Sequence, residues 1–245
     1  MKESPQINGA ETPDAPSLSE ELALLSAGKR IELLAERYPG RVVASTSFGL
    51  QAAVMLKLVK DHAPGVPVVF IDTGYHFPET YRYAMELSDR LDLDIKVYRS
   101  QWSPAWQEAA YGKLWEQGAE GNEKYALLNK VEPMNRAIAE TGAEVWLSGL
   151  RRSHSRTRVD RPFAEQQSKT MKAYPILDWQ DDEVERFLVK NELPRHPLAD
   201  EYVTMGDWHS TKKISEAESA EETRFGGEKY ECGLHLNSGV TDFQI

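Results

Sequence analysis

Short apolar segments that alternate with helical patterns constrain the fold of this 245-residue chain more than any other feature. Val68–Ile71 is apolar at every position. That is typical of a strand covered on both faces, because a strand with one wet face alternates apolar and polar residues. Four further segments are predicted to be strands: Val42–Ser45, Ile95–Tyr98, Val145–Ser148 and Tyr174–Leu177. A strand buried on both faces belongs in a sheet that carries helices on each side.

The intervals between these segments have helical patterns. Ser17–Tyr38 begins with Ser17 and Glu20 at capping-box spacing and ends before Pro39, with Gly28 as a candidate break. The other predicted helices are one through Val54–Val59, Pro78–Leu91, Met134–Thr141 and one capped by Asp178 that runs through Leu188, while Gln101–Glu132 is predicted to form short helices and loops. Strands alternating with helices predict right-handed crossovers, and hence an α/β fold with a mostly parallel sheet flanked by helices.

Length and composition favour one main domain with an extension at each end. With 40% hydrophobic and 28% charged residues, the composition is that of a soluble globular protein, and no apolar run approaches the roughly 18 residues that cross a bilayer. Residues 1–16 are polar, contain three prolines and lack the apolar core of a signal peptide, so we predict a disordered leader there. We expect the α/β domain at residues 17–205 and a mobile C-terminal arm at residues 206–245.

The charge distribution points to a small anionic ligand. The net charge of -10 argues against nucleic-acid binding, which needs a basic face. Between Arg151 and Arg161, however, there are five arginines and only one acid, Asp160. Such a cluster in an acidic protein is typical of a site for a multiply charged anion. The alternative is a solvated loop whose arginines pair with acidic residues elsewhere.

Three polar segments follow predicted strands and are expected to meet at one rim of the sheet, where parallel sheets bind ligands. They are the loop 45–51, the loop 72–74 and the arginine cluster. In the first, Ser45, Ser47 and Gly49 precede a helix N-terminus, which favours an anion, although such loops are common. The loop has no Gly-Lys-Ser/Thr and is not a P-loop. In the second, Asp72 is placed either to contact a nucleoside or to cap a turn.

Cys232 is the only cysteine of the chain and lies three residues before His235. A lone thiol cannot form an internal disulfide, which together with the missing signal peptide predicts a reducing, cytoplasmic location. Nearby positive charge lowers a thiol pKa, so Cys232 is a candidate nucleophile, and a small buried side chain is the alternative. No histidine pair has metal-ligand spacing with a carboxylate or thiol partner, and we predict no metal site.

Taken together, these segments resemble the phosphoadenosine phosphosulfate (PAPS) reductase family. The resemblance extends from about Leu18 to His235 and is carried by Ser45–Gln51, Asp72–Gly74 with Tyr75 and Phe77–Tyr81, Lys130–Arg136, Gly149–Arg152 and Glu231–His235. It implies an adenine nucleotide α-hydrolase-like, Rossmann-like nucleotide-binding fold. It also implies reduction of PAPS to sulfite and adenosine 3',5'-bisphosphate, with thioredoxin or glutaredoxin as electron donor.

The resemblance also assigns roles to individual residues. The implied catalytic residues are Cys232 as nucleophile, with His235, Lys130 and Arg224 around the reacting sulfur and leaving group. The implied substrate-binding residues are Ser45, Ser47, Gly49, Gln51, Asp72, Thr73, Gly74, Arg151, Arg152, Arg158, His209 and Lys213. His209 and Lys213 lie in a stretch that departs from the family pattern at Trp208 and Ser210.

The cysteine count sharpens what the resemblance implies. Related adenosine phosphosulfate (APS) reductases bind a [4Fe–4S] cluster through several cysteines, so one cysteine predicts no iron–sulfur cluster and favours PAPS as substrate. An external dithiol must then clear the intermediate, and we expect the arm to close over nucleotide and open for the redoxin. Family membership alone implies a homodimer. The alternatives are a nucleotide-activating enzyme of the same fold, such as an ATP pyrophosphatase or sulfate adenylyltransferase subunit, and a non-catalytic nucleotide-binding module.

Overall fold

A six-stranded sheet organises the chain in the computed structural model, which describes residues 14–155, 158–168, 170–216 and 223. Its strands are β1 (Val42–Thr46), β2 (Val68–Ile71), β3 (Ile95–Tyr98), β4 (Val145–Leu147), β5 (Ala164–Gln167) and β6 (Thr170–Ala173). The strand order is β3-β2-β1-β4-β6-β5. All neighbours are parallel except β5 and β6, which form an antiparallel edge.

The direction of strand addition reverses at β1. From β1 the chain adds β2 and then β3 on one side, and it returns to add β4 on the other. In register, Ala44 is opposite Val68 on β2 and Leu147 on β4. The connections on the two sides of such a reversal run over opposite faces of the sheet and leave a crevice at the carboxyl ends of the strands. The crevice here lies beyond β1 and β4.

Eight α-helices flank the sheet in the described part of the chain: α1 (Ala15–Ala23), α2 (Ala27–Arg37), α3 (Ala52–His62), α4 (Pro78–Leu91), α5 (Pro104–Tyr111), α6 (Gly118–Ala126), α7 (Glu132–Thr141) and α8 (Asp181–Lys190). Local sequence explains several ends. Proline begins α4 and α5, where its missing N–H costs nothing, and Gly142 ends α7 with a left-handed φ of 63°. A π-helical turn, Leu127–Val131, connects α6 to α7.

Alternation along the strands divides the core into two layers. Val42, Ala44 and Val68 face the larger cluster, which contains apolar residues of α2, α3, α4 and α8. Val43 and Val69 face the smaller cluster, with Met134 and Ala137 of α7. The strands are therefore covered on both faces, which confirms the prediction made from the uniformly apolar Val68–Ile71.

The predicted fold class is confirmed, but the fifth strand was placed too late. Residues 175–178 form turns, and the strand is Thr170–Ala173, paired with β5 in a hairpin that the sequence did not predict. Pro175 has no N–H to donate to a ladder. The sequence of β5, Ala-Glu-Gln-Gln, has no apolar pattern that would have indicated a strand.

Three details of the predicted helices are also corrected. Asp14 caps α1 by accepting the Ser17 N–H at 3.0 Å, in place of the predicted start at Ser17. The predicted helix Ser17–Tyr38 is divided into α1 and α2 at Leu24–Ser26, and not at Gly28. Gly28 instead lies inside α2, where an added Cβ would lie 2.3 Å from His62 Nε2, so glycine permits close packing of α2 on α3.

The cap of α8 is Gln180, in a capping box with Glu183, and not Asp178. Asp178 accepts two hydrogen bonds from the buried Arg30, at 2.7 and 2.8 Å. This pair ties α2 to the loop after β6.

The ends of the chain bear on the predicted domain boundaries. The first helix begins at Ala15, and residues 1–13 of the predicted leader lie outside the described residues. Of the predicted arm, Asp207, Ser210 and Thr211 are buried against the main domain. Thr223 is also buried, and its carbonyl accepts the Lys212 N–H at 2.9 Å. The domain boundaries remain predictions. No described helix has the length and apolar character that crossing a bilayer requires.

His196 is predicted to make the stability of this fold sensitive to acid. Its ring is 1% exposed, its Nδ1 accepts the Leu198 N–H at 3.1 Å, and its Nε2 is 3.1 Å from Thr80 Oγ1. Burial lowers the pKa of His196 to about 4. As the pH falls, His196 is therefore protonated in the unfolded chain before it is protonated in the folded protein. The neutral, buried His196 contributes fully to stability above about pH 6.5, and this contribution is lost as the pH falls towards 4.

Urea denaturation at about pH 7.5 and about pH 5 checks this prediction. Between the two, the wild-type protein should lose about 2 kcal/mol more unfolding free energy than His196→Gln, since each unit of pKa shift corresponds to about 1.4 kcal/mol. An identical pH dependence in the two proteins would contradict it.

Candidate active site

The crevice beyond β1 and β4 is lined by the loops that follow β1, β2 and β4 and by residues 203–207. Among the residues predicted from sequence, the lining includes Ser45, Ser47, Gly49, Gln51, Thr73, Lys130 and Arg158. The prediction that these three loops meet at one rim is confirmed.

The loop after β1 is held by its own side chains and by β4. Trp146 Nε1 donates to Ser45 Oγ at 2.7 Å, and the Phe48 N–H donates to Thr46 Oγ1 at 3.0 Å. Phe48 has a φ of +48°, which is rare for a bulky residue, and its buried ring packs edge-on against Phe70 with centroids 5.0 Å apart. This packing keeps the loop in a shape that leaves Ser47 and Gly49 on the lining.

In the loop after β2, Asp72 stabilises the loop itself, whereas Thr73 lines the crevice. Asp72 Oδ1 accepts the Gly74 N–H at 2.9 Å and the Tyr81 hydroxyl at 2.7 Å, and Asp72 is not part of the lining. Burial, together with the hydrogen bond to Asp72, raises the pKa of Tyr81 well above its ordinary value. Gly74 has a φ of +76° and also lies off the lining. Thr73 is the residue of this loop that reaches the crevice.

A buried carboxylate stands behind the predicted lysine. Asp207 is 0% exposed, and its Oδ2 lies 2.6 Å from Lys130 Nζ, while Thr73 Oγ1 donates to its Oδ1 at 2.5 Å. His76 Nδ1 is 3.7 Å from the same Oδ1. Burial alone would raise the pKa of Asp207, but Lys130 and His76 outweigh burial and hold it below the ordinary value. The carboxylate is therefore charged, and the crevice contains an ion pair.

Of the three arginines predicted to bind substrate, Arg158 lines the crevice, Arg151 supports it and Arg152 lies off it. Arg151 is buried, donates to Asp181 at 2.7 Å and to the Trp179 carbonyl at 3.2 Å, and contacts Gln51 Oε1 and His154 Nε2.

Arg152 donates to the Arg161 carbonyl at 2.7 Å and stacks over Phe163, so it faces away from the crevice. Arg158 is on the lining. Arg151 pairs with an acidic residue, Asp181, as the alternative expected, but it is buried and not solvated, and its contact with Gln51 supports the crevice.

His154, next to the arginines, also lines the crevice. Burial lowers its pKa to about 4, with Arg151 and Arg158 contributing in the same direction. His154 is therefore neutral at ordinary pH and adds no positive charge to that of Arg158 on the lining.

The two predicted residues near the start of the arm lie off the lining. His209 stacks on Trp115 with ring centroids 4.2 Å apart and also contacts Tyr125 at 4.9 Å. Lys213 forms an exposed ion pair with Glu201. Cys232, His235 and Arg224 lie outside the described residues, and their roles remain predictions.

The lining residues that sequence reasoning missed include His76, Trp146, His154 and Asp207. The sequence indicates that Trp146 is a core residue of a strand. In the structure it belongs to the core and also lines the crevice. Asp207 sits beside His209 in the stretch that resembles the family, and the reason to select it is its contact with Lys130, far away in sequence. Within the described ranges, no group of three or more His, Cys, Asp or Glu residues is arranged to hold a metal ion.

Trp146→Phe tests how the loop after β1 is held. Phenylalanine keeps an aromatic ring beneath Lys172 Nζ, now 3.7 Å from the ring centre, but removes the donor to Ser45 Oγ. We expect a loss of about 1–2 kcal/mol of unfolding free energy in urea, from the lost hydrogen bond and the smaller ring.

Two comparisons isolate the hydrogen bond. The exposed Trp106→Phe should change stability by less than about 0.5 kcal/mol, and Ser45→Ala should cost less in the Trp146→Phe background than in the wild type. Equal costs of Ser45→Ala in both backgrounds would show that the bond is not made.

The chain is similar to known proteins over almost all of its length. Residues 41–213 match the model of the phosphoadenosine phosphosulfate reductase domain. A phosphoadenosine 5'-phosphosulfate reductase of Alkalilimnicola ehrlichii is 50% identical over 220 residues, covering 89% of this chain and 90% of the relative. One of Cronobacter sakazakii is 52% identical over 216 residues, covering 88% of each.

Solved structures agree with these relatives. The structure of phosphoadenylyl-sulfate (PAPS) reductase from Candida auris in a phosphate complex superimposes with a TM-score of 0.71 at 29% identity, covering 83% of this chain and all of that one. Candida glabrata FMN adenylyltransferase gives a TM-score of 0.53 at 15% identity, covering 84% of this chain and 69% of that one, which shows a shared Rossmann-like fold alone. The chain belongs to the phosphoadenosine phosphosulfate reductase family.

Proposed function

We propose that this protein is an oxidoreductase of sulfate assimilation that reduces PAPS to sulfite and adenosine 3',5'-bisphosphate. One observation carries the proposal: relatives named for this activity are 50–52% identical over about nine-tenths of both chains. The crevice supports it, because hydroxyls, a lysine and an arginine line a site at the carboxyl end of a parallel sheet. These groups suit a ligand with several phosphate and sulfate charges.

The reaction is proposed to begin with the thiolate of Cys232 attacking the sulfur of PAPS. An S–S bond forms, the bond between sulfur and the phosphate oxygen breaks, and adenosine 3',5'-bisphosphate leaves with that oxygen's electron pair. Cys232 then carries an S-sulfo group. A thiolate of an external dithiol attacks the Cys232 sulfur and releases sulfite, which leaves a mixed disulfide between the two proteins. The second thiolate of the dithiol then attacks the dithiol sulfur of that bond, forms the dithiol's own disulfide and releases the Cys232 thiolate. The dithiol supplies the two electrons.

The leaving group gains negative charge as the bond to sulfur breaks, so fixed cations near it lower the barrier. Lys130 and Arg158 line the crevice and are proposed to face this charge, and Ser45 and Ser47 to hold phosphate or sulfate oxygens. Arg151 is proposed to act indirectly, through its contact with Gln51. The proposed roles of Arg224 and His235 beside Cys232 rest on the resemblance alone.

The remaining proposals concern partners and location. We propose thioredoxin or glutaredoxin as the dithiol, a cytoplasmic homodimer, and no iron–sulfur cluster, since one cysteine cannot ligate one. The two alternative functions, nucleotide activation and non-catalytic nucleotide binding, are disfavoured because high-coverage relatives are named reductases.

Cys232→Ser tests the mechanism. With reduced thioredoxin and PAPS, wild-type protein should release sulfite and the serine variant should release none above background, because an alcohol is too weak a nucleophile at neutral pH. Without redoxin, the mass of the wild-type protein should rise by one SO₃ group at Cys232.

The control is nucleotide binding. Cys232→Ser should bind adenosine 3',5'-bisphosphate with wild-type affinity in calorimetry, which shows an intact crevice. Full sulfite release by the serine variant would refute Cys232 as the nucleophile.

Competition between PAPS and APS tests the substrate. With both present at equal concentration, we expect PAPS to be consumed first, because its additional 3'-phosphate adds charge that a crevice with Lys130 and Arg158 favours. Labelling the two nucleosides with different isotopes reports both products in one reaction. Preferential consumption of APS would contradict the assignment.

A further inference from the structure

Asp207 is a fully buried carboxylate at the edge of the crevice, and both of its oxygens have partners. Oδ2 lies 2.6 Å from Lys130 Nζ, and Oδ1 accepts the Thr73 hydroxyl at 2.5 Å. A charge removed from water in this way costs several kcal/mol unless it is paired, and even a paired one is often no more stabilising than apolar side chains. Stability alone therefore gives little reason for an ion pair at this position.

The backbone around Asp207 is anchored on both sides. Its carbonyl accepts the Ser210 N–H at 3.0 Å and the Thr211 hydroxyl at 2.9 Å, and the next N–H, of Trp208, donates to the Tyr75 carbonyl at 2.9 Å. His76 and Asp207 also form an isolated β-bridge. The carboxylate is thus fixed relative to the loop after β2.

The position of the Lys130 side chain, in contrast, depends on its ion pair with Asp207. It belongs to the π-helical turn Leu127–Val131, a wider turn than an α-helix makes, and such turns are frequent at functional sites. Within the described part of the chain, Asp207 is its one ion-pair partner. Its ammonium also lies 5.6 Å from the centre of the Tyr125 ring. A long lysine side chain has many rotamers, and Asp207 selects among them.

We propose that Asp207 is a positioning residue: it fixes the Lys130 ammonium on the crevice wall, at a set distance from Thr73, so that the lysine is in place when the leaving group gains charge. The inference rests on the proposed function, since it deepens the role given there to Lys130. Preorganisation of this kind lowers the barrier, because the cation need not move during the reaction.

The positioning role predicts an unusual pair of effects for Asp207→Asn. Asparagine keeps the shape and can still accept from Thr73, but it releases Lys130. We expect kcat with PAPS to fall about 10- to 100-fold, the range that small misplacements of a catalytic group produce. The affinity for adenosine 3',5'-bisphosphate, measured by calorimetry, should stay the same or rise, because a negative charge beside an anion site has been removed.

A double-mutant cycle with Lys130→Met tests whether Asp207 acts through the lysine. If it does, the double variant should have the kcat of Lys130→Met alone, within about twofold. Asp200→Asn, an exposed carboxylate seven residues upstream, serves as the matched control and should behave as wild type. Asp207→Glu keeps the charge but moves it by one methylene, and it should also lower kcat; it replaces Asp207→Asn in the cycle if the asparagine variant does not fold.

Three results would overturn the inference: wild-type kcat in the Asp207 variant, a parallel loss of kcat and nucleotide affinity, or multiplying effects in the double variant. Failure of the proposed function is recognised separately. If the wild-type protein releases no sulfite from PAPS, the function is wrong, whereas an active wild type whose Asp207 variant matches Asp200→Asn refutes the positioning role alone.

Discussion

The parallel pairing of β1 with both β2 and β4 is the constraint on which the rest of the structure depends. It places three strand ends side by side, and it forces the connecting helices onto opposite faces, so the crevice between them cannot be filled by a helix. The polar loops 45–51 and 72–74 and the segment after β4 meet there because their strands point the same way. Burial of β1 on both faces then makes this arrangement rigid.

In the crevice, charged side chains on the wall are held by charged side chains beside and behind them. Lys130 and Arg158 line the crevice, Asp207 lies at its edge, and Asp181 and Arg151 stand behind. Neutral His154 adds no charge of its own at ordinary pH, because burial lowers its pKa. A reaction that releases an anion benefits from this arrangement. A cation on the wall, such as Lys130, can face a bound anion and is paired with a carboxylate when no ligand is bound.

Sequence patterns predicted the features that depend on local chemistry. Four of the five predicted apolar strands, the polar loops after them and the mixed segment 101–132 follow from residue types over a few positions, and the structure confirms them. The β5–β6 hairpin could not be predicted, since β5 is polar and owes its conformation to pairing with β6. Asp207 was missed for a related reason: its neighbours in the crevice, Thr73 and Lys130, are distant in sequence, and no local pattern marks such a contact.

The hydrogen bond from the Lys212 N–H to the Thr223 carbonyl sets a limit on the position of Cys232. Thr223 is buried, and it precedes Cys232 by nine residues. At about 3.5 Å per residue, that length of chain extends no further than roughly 30 Å. A dithiol that removes a sulfo group from Cys232 must therefore bind the protein within that distance of Thr223.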